Sequence, residues 1–74
     1  MYWRKKPVLE NTVEKSRKKL GITQANLANA CDVTRQTIIS VEKGDYVPSV
    51  ALALALAKNL DTSVEKLFIL KGKI

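Results

Sequence analysis

Seventy-four residues carrying a net charge of +6, no histidine and one cysteine leave few materials for chemistry. That inventory argues against an enzyme, because the usual acid–base and nucleophile sets are missing, and against a metal site or cofactor for want of ligands. A lone cysteine also rules out an intramolecular disulfide.

A chain of this length makes one domain and buries only about 60% of the surface it exposes when unfolded. It needs a compact helical core, helped by dimerisation. Cys31 without a secretory signal favours a reducing cytoplasm, with the protein associated with the nucleoid, and the thiol reads as a small buried hydrophobe. The longest uncharged apolar stretch, Val47 to Ala57, is interrupted by Pro48 and Ser49 and falls short of the roughly 20 residues that cross a bilayer. Residues 1–19 hold seven basic side chains against Glu10 and Glu14. A basic end on a small domain suits a polyanion, although ordinary solubility charge explains it equally well.

In chain order, Met1 to Lys6 is a basic arm with two aromatics, Tyr2 and Trp3. Leu9, Val13, Ser16 and Leu20 then recur at helical spacing, Gly21 ends that element, and the start lies anywhere from Pro7 to Thr12. Asn11 with Glu14 offers one capping box for it. Thr23 caps a second helix whose apolar face is Ala25, Leu27, Ala28 and Cys31. Thr34 caps a third, with Ile38, Ile39 and Val41 before Gly44. Only Asp32 and Val33 separate the two. Asp32 falls where the chain needs a left-handed residue, and Val33 is free to plug the angle between two steeply crossed helices.

Ser49 caps a fourth helix, Val50 to Asn59. VALALALA alternates as a strand would, but Leu alternates with Ala, so no wet face results, and both residues favour helix. A helical wheel places Val50, Ala53, Leu54, Leu56, Ala57 and Leu60 inward, with Ala51, Ala55, Lys58 and Asn59 outward. So apolar a helix is expected at the centre of the fold. A fifth opens at Thr62 or Ser63, with Glu65 placed for a capping box, and carries Val64, Leu67 and Phe68. Ile69 and Leu70, with Tyr2, Trp3 and Ile74, exceed what one small core absorbs. Surplus of that kind marks a contact, so a dimer seam is expected at Phe68, Ile69, Leu70 and Trp3, the LFIL segment extended; folding back over the same core is the alternative.

Two short helices joined by a tight turn between Thr23 and Gly44 form the pattern of a helix-turn-helix. With TQANLA, TRQTI and VEKGDYVPS in register, the span from about Leu9 to Phe68 resembles the Cro/phage-repressor (XRE-like) helix-turn-helix family, whose small bacterial members carry TQxxLA, SRQTI and IExGxYxPS. The resemblance implies an all-α, five-helix DNA-binding domain with the motif at helices 2 and 3, and a homodimer. The expected organisation is one domain over 1–74: a basic arm at 1–6, a helical core at 9–68, and a tail at 69–74 for dimer contact.

On the reading helix, Thr34 to Lys43, the inner face leaves Arg35, Gln36, Ile39, Ser40 and Lys43 outward. Arg and Gln are the side chains that make bidentate contacts, Arg to guanine and Gln to adenine. The resemblance assigns base reading to Arg35, Gln36 and Ser40, with Thr37 near a phosphate or a thymine methyl. Backbone contacts are expected from Gln24, Thr34, Lys43, Lys18, Ser49 and Tyr46, where Ser49 is a cap first and Asp45 weakens its corner of the loop. The resemblance also pairs Arg17 with Glu42, an orienting device whose net stabilisation is near zero. Double-stranded DNA and a second copy of the chain are thus the expected partners, with no membrane and no small-molecule ligand. The expected function is a transcriptional regulator, most simply a repressor, on a near-palindromic operator. Its rivals are an antitoxin or mobile-element regulator of the same fold, and a protein-interaction module that has lost DNA.

Overall fold

The computed structural model describes residues 8–72. Five helices and two strands follow in order: β1 (Val8–Asn11), α1 (Val13–Lys19), α2 (Gln24–Ala30), α3 (Arg35–Lys43), α4 (Val50–Asn59), α5 (Val64–Leu67) and β2 (Phe68–Lys71). Four helices open on hydroxyl caps. Thr23, Thr34, Ser49 and Ser63 accept from the backbone amides of Asn26, Thr37, Leu52 and Lys66 at 3.0, 3.2, 3.1 and 3.3 Å. Each satisfies an amide that the first helical turn leaves without a partner.

The fold is mostly helical, but two strands correct the all-α expectation. β1 and β2 pair antiparallel, with Leu9 opposite Leu70 and Asn11 opposite Phe68. Leu9 therefore belongs to a strand, and α1 starts only after Thr12. The ladder continues one step beyond the strands, where the Thr12 amide donates to Leu67 at 2.8 Å and the Thr12 hydroxyl to Lys66 at 3.1 Å. Glu14 forms no capping box. Instead the Asn11 side chain accepts from the Val13 amide at 3.1 Å and donates to the Val41 carbonyl at 2.9 Å, tying β1 to the end of α3.

Every helix contributes to one core, in which Val13, Leu27, Ile38, Val41, Leu56 and Leu67 are essentially sealed from solvent. Leu20, at helical spacing from the buried Val13, is exposed. On α4 the buried stripe is Leu52, Ala53, Leu56, Ala57 and Leu60, whereas Val50 and Leu54 face out, 77% and 58% exposed. The helix is thus rotated from the expected wheel. With Ala, Val and Leu at every position from 50 to 57, no polar residue marks its wet side, and only packing selects the face. α5 is a single turn capped by Ser63, so Glu65 lies in its first turn without the expected box, and Phe68 opens β2.

Candidate nucleic-acid interface

The geometry of α2 and α3 follows from a two-residue turn. Asp32 takes a left-handed φ of 57°, a region that Asp tolerates better than most side chains. The Val33 amide then donates back to Ala28 at 3.0 Å, and its side chain packs on the core. From Thr34 the chain re-enters helix with Ile38 and Val41 pointing inward, at 0% and 1% exposure. That anchoring sets the opposite face. Arg35, Gln36 and Lys43 are exposed, while Thr37, Ile39 and Ser40 are half-buried beside them. α3 ends cleanly at Gly44, whose φ of 82° turns the chain, and the Asp45 amide closes on Ser40 at 2.9 Å.

A polar chain runs beneath the exposed tip of α3. Arg17 and Glu42 meet in a bidentate pair, with Nε to Oε2 at 2.7 Å and Nη2 to Oε1 at 3.2 Å. Their side chains are 9% and 3% exposed. Arg17 gives its remaining nitrogen, Nη1, to the Ile22 carbonyl at 3.0 Å. Glu42's hydrogen bond holds the guanidinium charged, pushing its pKa further up against the opposing effect of burial. Glu42 Oε1 also accepts from Gln24 Nε2 at 3.0 Å, and Gln24 Oε1 accepts in turn from Arg35 Nη2 at 3.2 Å. Four side chains from three helices are therefore linked in series, ending at an exposed arginine.

Beside them, Thr34, Gln36, Thr37, Ser40 and Tyr46 line an open depression of about 180 Å³. The Thr34 and Thr37 hydroxyls lie 3.0 Å apart, and Gln36 Nε2 reaches Ser40 Oγ at 3.5 Å. The structure gathers Arg35, Gln36, Thr37, Ser40, Thr34 and Tyr46 around this depression and the end of the polar chain. Ser49 serves as the α4 cap, and Lys18 stands well exposed on α1, 3.9 Å from Glu14. Phe68 and Ile69 are half-buried and Leu70 is 45% exposed; Trp3, Tyr2, Ile74 and the arm at 1–6 lie outside the described residues. Two linkages escape sequence reasoning. Asn11 reads only as a cap, and Gln24 only as a phosphate contact, because both bridges span elements 18 or more residues apart.

A capped helix pair with a tight turn, its second helix anchored inside and polar outside, defines a helix-turn-helix DNA-binding domain. The Helix-turn-helix family model matches residues 13–67, and the chain belongs to that family of DNA-binding transcriptional regulators. It is 42% identical over 60 residues to YgzD, an uncharacterized HTH-type transcriptional regulator of Bacillus subtilis (strain 168), covering 81% of this chain and 91% of that one. A second HTH-type regulator, from Methanothermobacter thermautotrophicus, is 46% identical over 63 residues, covering 84% and 91%. Among solved structures, the restriction-modification controller protein C.AhdI from Aeromonas hydrophila superposes with a TM-score of 0.69 at 28% identity, over 73% of this chain and 82% of that one. Among the described residues, no helix is long and apolar enough to cross a membrane.

Proposed function

We propose that this protein is a sequence-specific regulator that lays α3 in the major groove of a near-palindromic operator and represses by occupying a promoter. The observation that carries this reading is the outward Arg35–Gln36 tip of a helix whose opposite side is locked by Ile38 and Val41. Arg35, Gln36 and Ser40 read base edges, and Thr37 lies by a phosphate or a thymine methyl. Gln24, Thr34, Lys43, Lys18, Ser49 and Tyr46 follow the backbone, where phosphate contacts set register rather than sequence. The work is cytoplasmic and needs no cofactor.

Two copies related by a twofold axis place their reading helices about 34 Å apart, on successive major grooves. The seam is assigned to Phe68, Ile69 and Leu70 of β2, and to Trp3, which lies outside the described residues. A second apolar face, Val47, Val50 and Leu54, is 64%, 77% and 58% exposed, which favours α4 as the rival seam. Antitoxin and mobile-element regulators share this mode of DNA binding and differ in the neighbouring gene.

Selection of bound sequences from a random DNA pool, at two salt concentrations, tests the reading. It yields a palindrome bound with a steep salt dependence. Arg35→Ala costs about 1–3 kcal/mol and relaxes selectivity at one base pair, whereas Lys18→Ala weakens all DNA alike. Parental binding by both variants would overturn the proposal in favour of a protein-interaction module.

A further inference from the structure

We infer that the depression between α1 and the α4–α5 turn docks a partner protein, taking an acidic segment that carries one large apolar side chain. Such docking is separate from the reading of DNA. The lining comes from α1, α5 and the ends of α1 and α4, and includes no residue of α2 or α3 and none assigned to DNA. A regulator on its operator can therefore hold the partner as well. The depression measures about 370 Å³, near the lower end of the roughly 300–1,000 Å³ of ligand pockets.

Its floor is apolar. Leu60 is buried at the end of α4, while Leu20, at the end of α1, stays 48% exposed although leucine gains by leaving water. The rim is charged. On α1, Arg17 is bound to Glu42 and Lys18 lies 3.9 Å from Glu14. Lys19 and Lys66, both exposed, form no ion pair among the described residues, and Asp61, also in the lining, pairs with neither. These three charges select the occupant. Two ammonium groups call for anions, whereas Asp61 only accepts and calls for an N–H donor. A nucleic-acid backbone brings anionic acceptors alone and meets Asp61 with like charge. An acidic peptide supplies carboxylates for Lys19 and Lys66 and backbone N–H groups for Asp61, and its apolar side chain covers Leu20 and Leu60. Ion pairs this exposed contribute little each, so the apolar anchor gives most of the affinity and the lysines the choice of partner.

The test is an NMR titration of the full chain with a capped peptide that carries one leucine between two runs of glutamate. Shifts gather at the amides of Ser16, Leu20, Asp61 and Thr62, and alanine in place of the peptide's leucine weakens binding about tenfold. Lys19→Gln and Lys66→Gln each weaken it about threefold, whereas Lys58→Gln, on α4 outside the lining, leaves it nearly unchanged. All three lysines are exposed, so none of these variants threatens the fold. Absence of saturable shifts at the depression overturns the inference. Equal loss from Lys58→Gln would mean general attraction to a basic protein, and equal binding of the alanine peptide an unused floor; either overturns it too. A short DNA duplex of arbitrary sequence that shifts the same amides in preference to the peptide overturns it in favour of a nucleic-acid surface. Operator-bound protein takes up the peptide with unchanged affinity, and displacement of the operator would place docking on the DNA face instead. If the protein bound no DNA at all, the titration of the free chain would still decide whether the depression takes an acidic segment.

Discussion

Gly44 adopts a φ of 82°, and a Cβ built there meets nothing within 4 Å. Any cost of a side chain is therefore backbone strain without a clash. Gly44→Ala destabilises by about 1 kcal/mol, as a left-handed L-residue should, and denaturant unfolding measures it. Cys31 makes the opposite kind of case, since its surroundings decide its chemistry. Burial pushes the thiol pKa up, with the Asn59 amide, 3.8 Å from Sγ, acting weakly against it. A folded pKa above the unfolded one means that stability is full below the ordinary thiol range and lost as pH rises through the folded value. Ellman's reagent should thus react slowly with the native protein at mildly alkaline pH and quickly in urea. A native rate equal to that of free cysteine would show the thiol to be an exposed one.

The elements that sequence revealed are those with local signals. Thr23, Thr34 and Ser49 announce helix starts, Gly44 announces a stop, and Asp32 fits the left-handed turn its position demanded. The strands carry no such signal. Val8–Asn11 becomes β1 only because Phe68–Lys71, some sixty residues on, lies beside it, and four residues are too few to distinguish alternation from helical spacing. The same limit applied to α4, where uniform Ala, Val and Leu left the buried face to tertiary packing. At the interface, the outward residues of α3 were legible from its apolar stripe, but the bond from Gln24 to Arg35 was not, since it requires the crossing of α2 and α3. These elements also set the test of self-association. Leu70 on β2 and Leu54 on α4 are both exposed, so a lysine at either is compatible with the folded monomer. Sedimentation should find Leu70→Lys monomeric and Leu54→Lys still dimeric; the reverse result would move the seam to α4.

Across the whole molecule the net charge of +6 is spread over faces with different neighbours. Lys43 closes α3, on the helix that carries Arg35 and Gln36. Lys19 and Lys66 instead line a depression of about 370 Å³ between the end of α1 and the α4–α5 turn, with Ser16, Leu20, Leu60, Asp61 and Thr62. Its lining shares no residue with the depression beside the α3 tip. Arg17, though also on α1, is already neutralised by Glu42 and has no charge to spare for a phosphate. On the proposed reading the basic first helix should contribute to DNA binding unevenly, and the salt dependence of binding can separate its parts. Each lysine that displaces a counterion from a phosphate adds about one to the slope of log affinity against log salt. Lys43→Gln should therefore flatten that slope by about one per subunit and weaken operator and unrelated DNA alike. Lys19→Gln, on the α5 side, should leave the slope nearly unchanged, with only the small loss due to lower net charge. If Lys19→Gln flattened it as much as Lys43→Gln, the DNA path would have to cross the α1–α5 depression, and α3 would no longer be the centre of the contact.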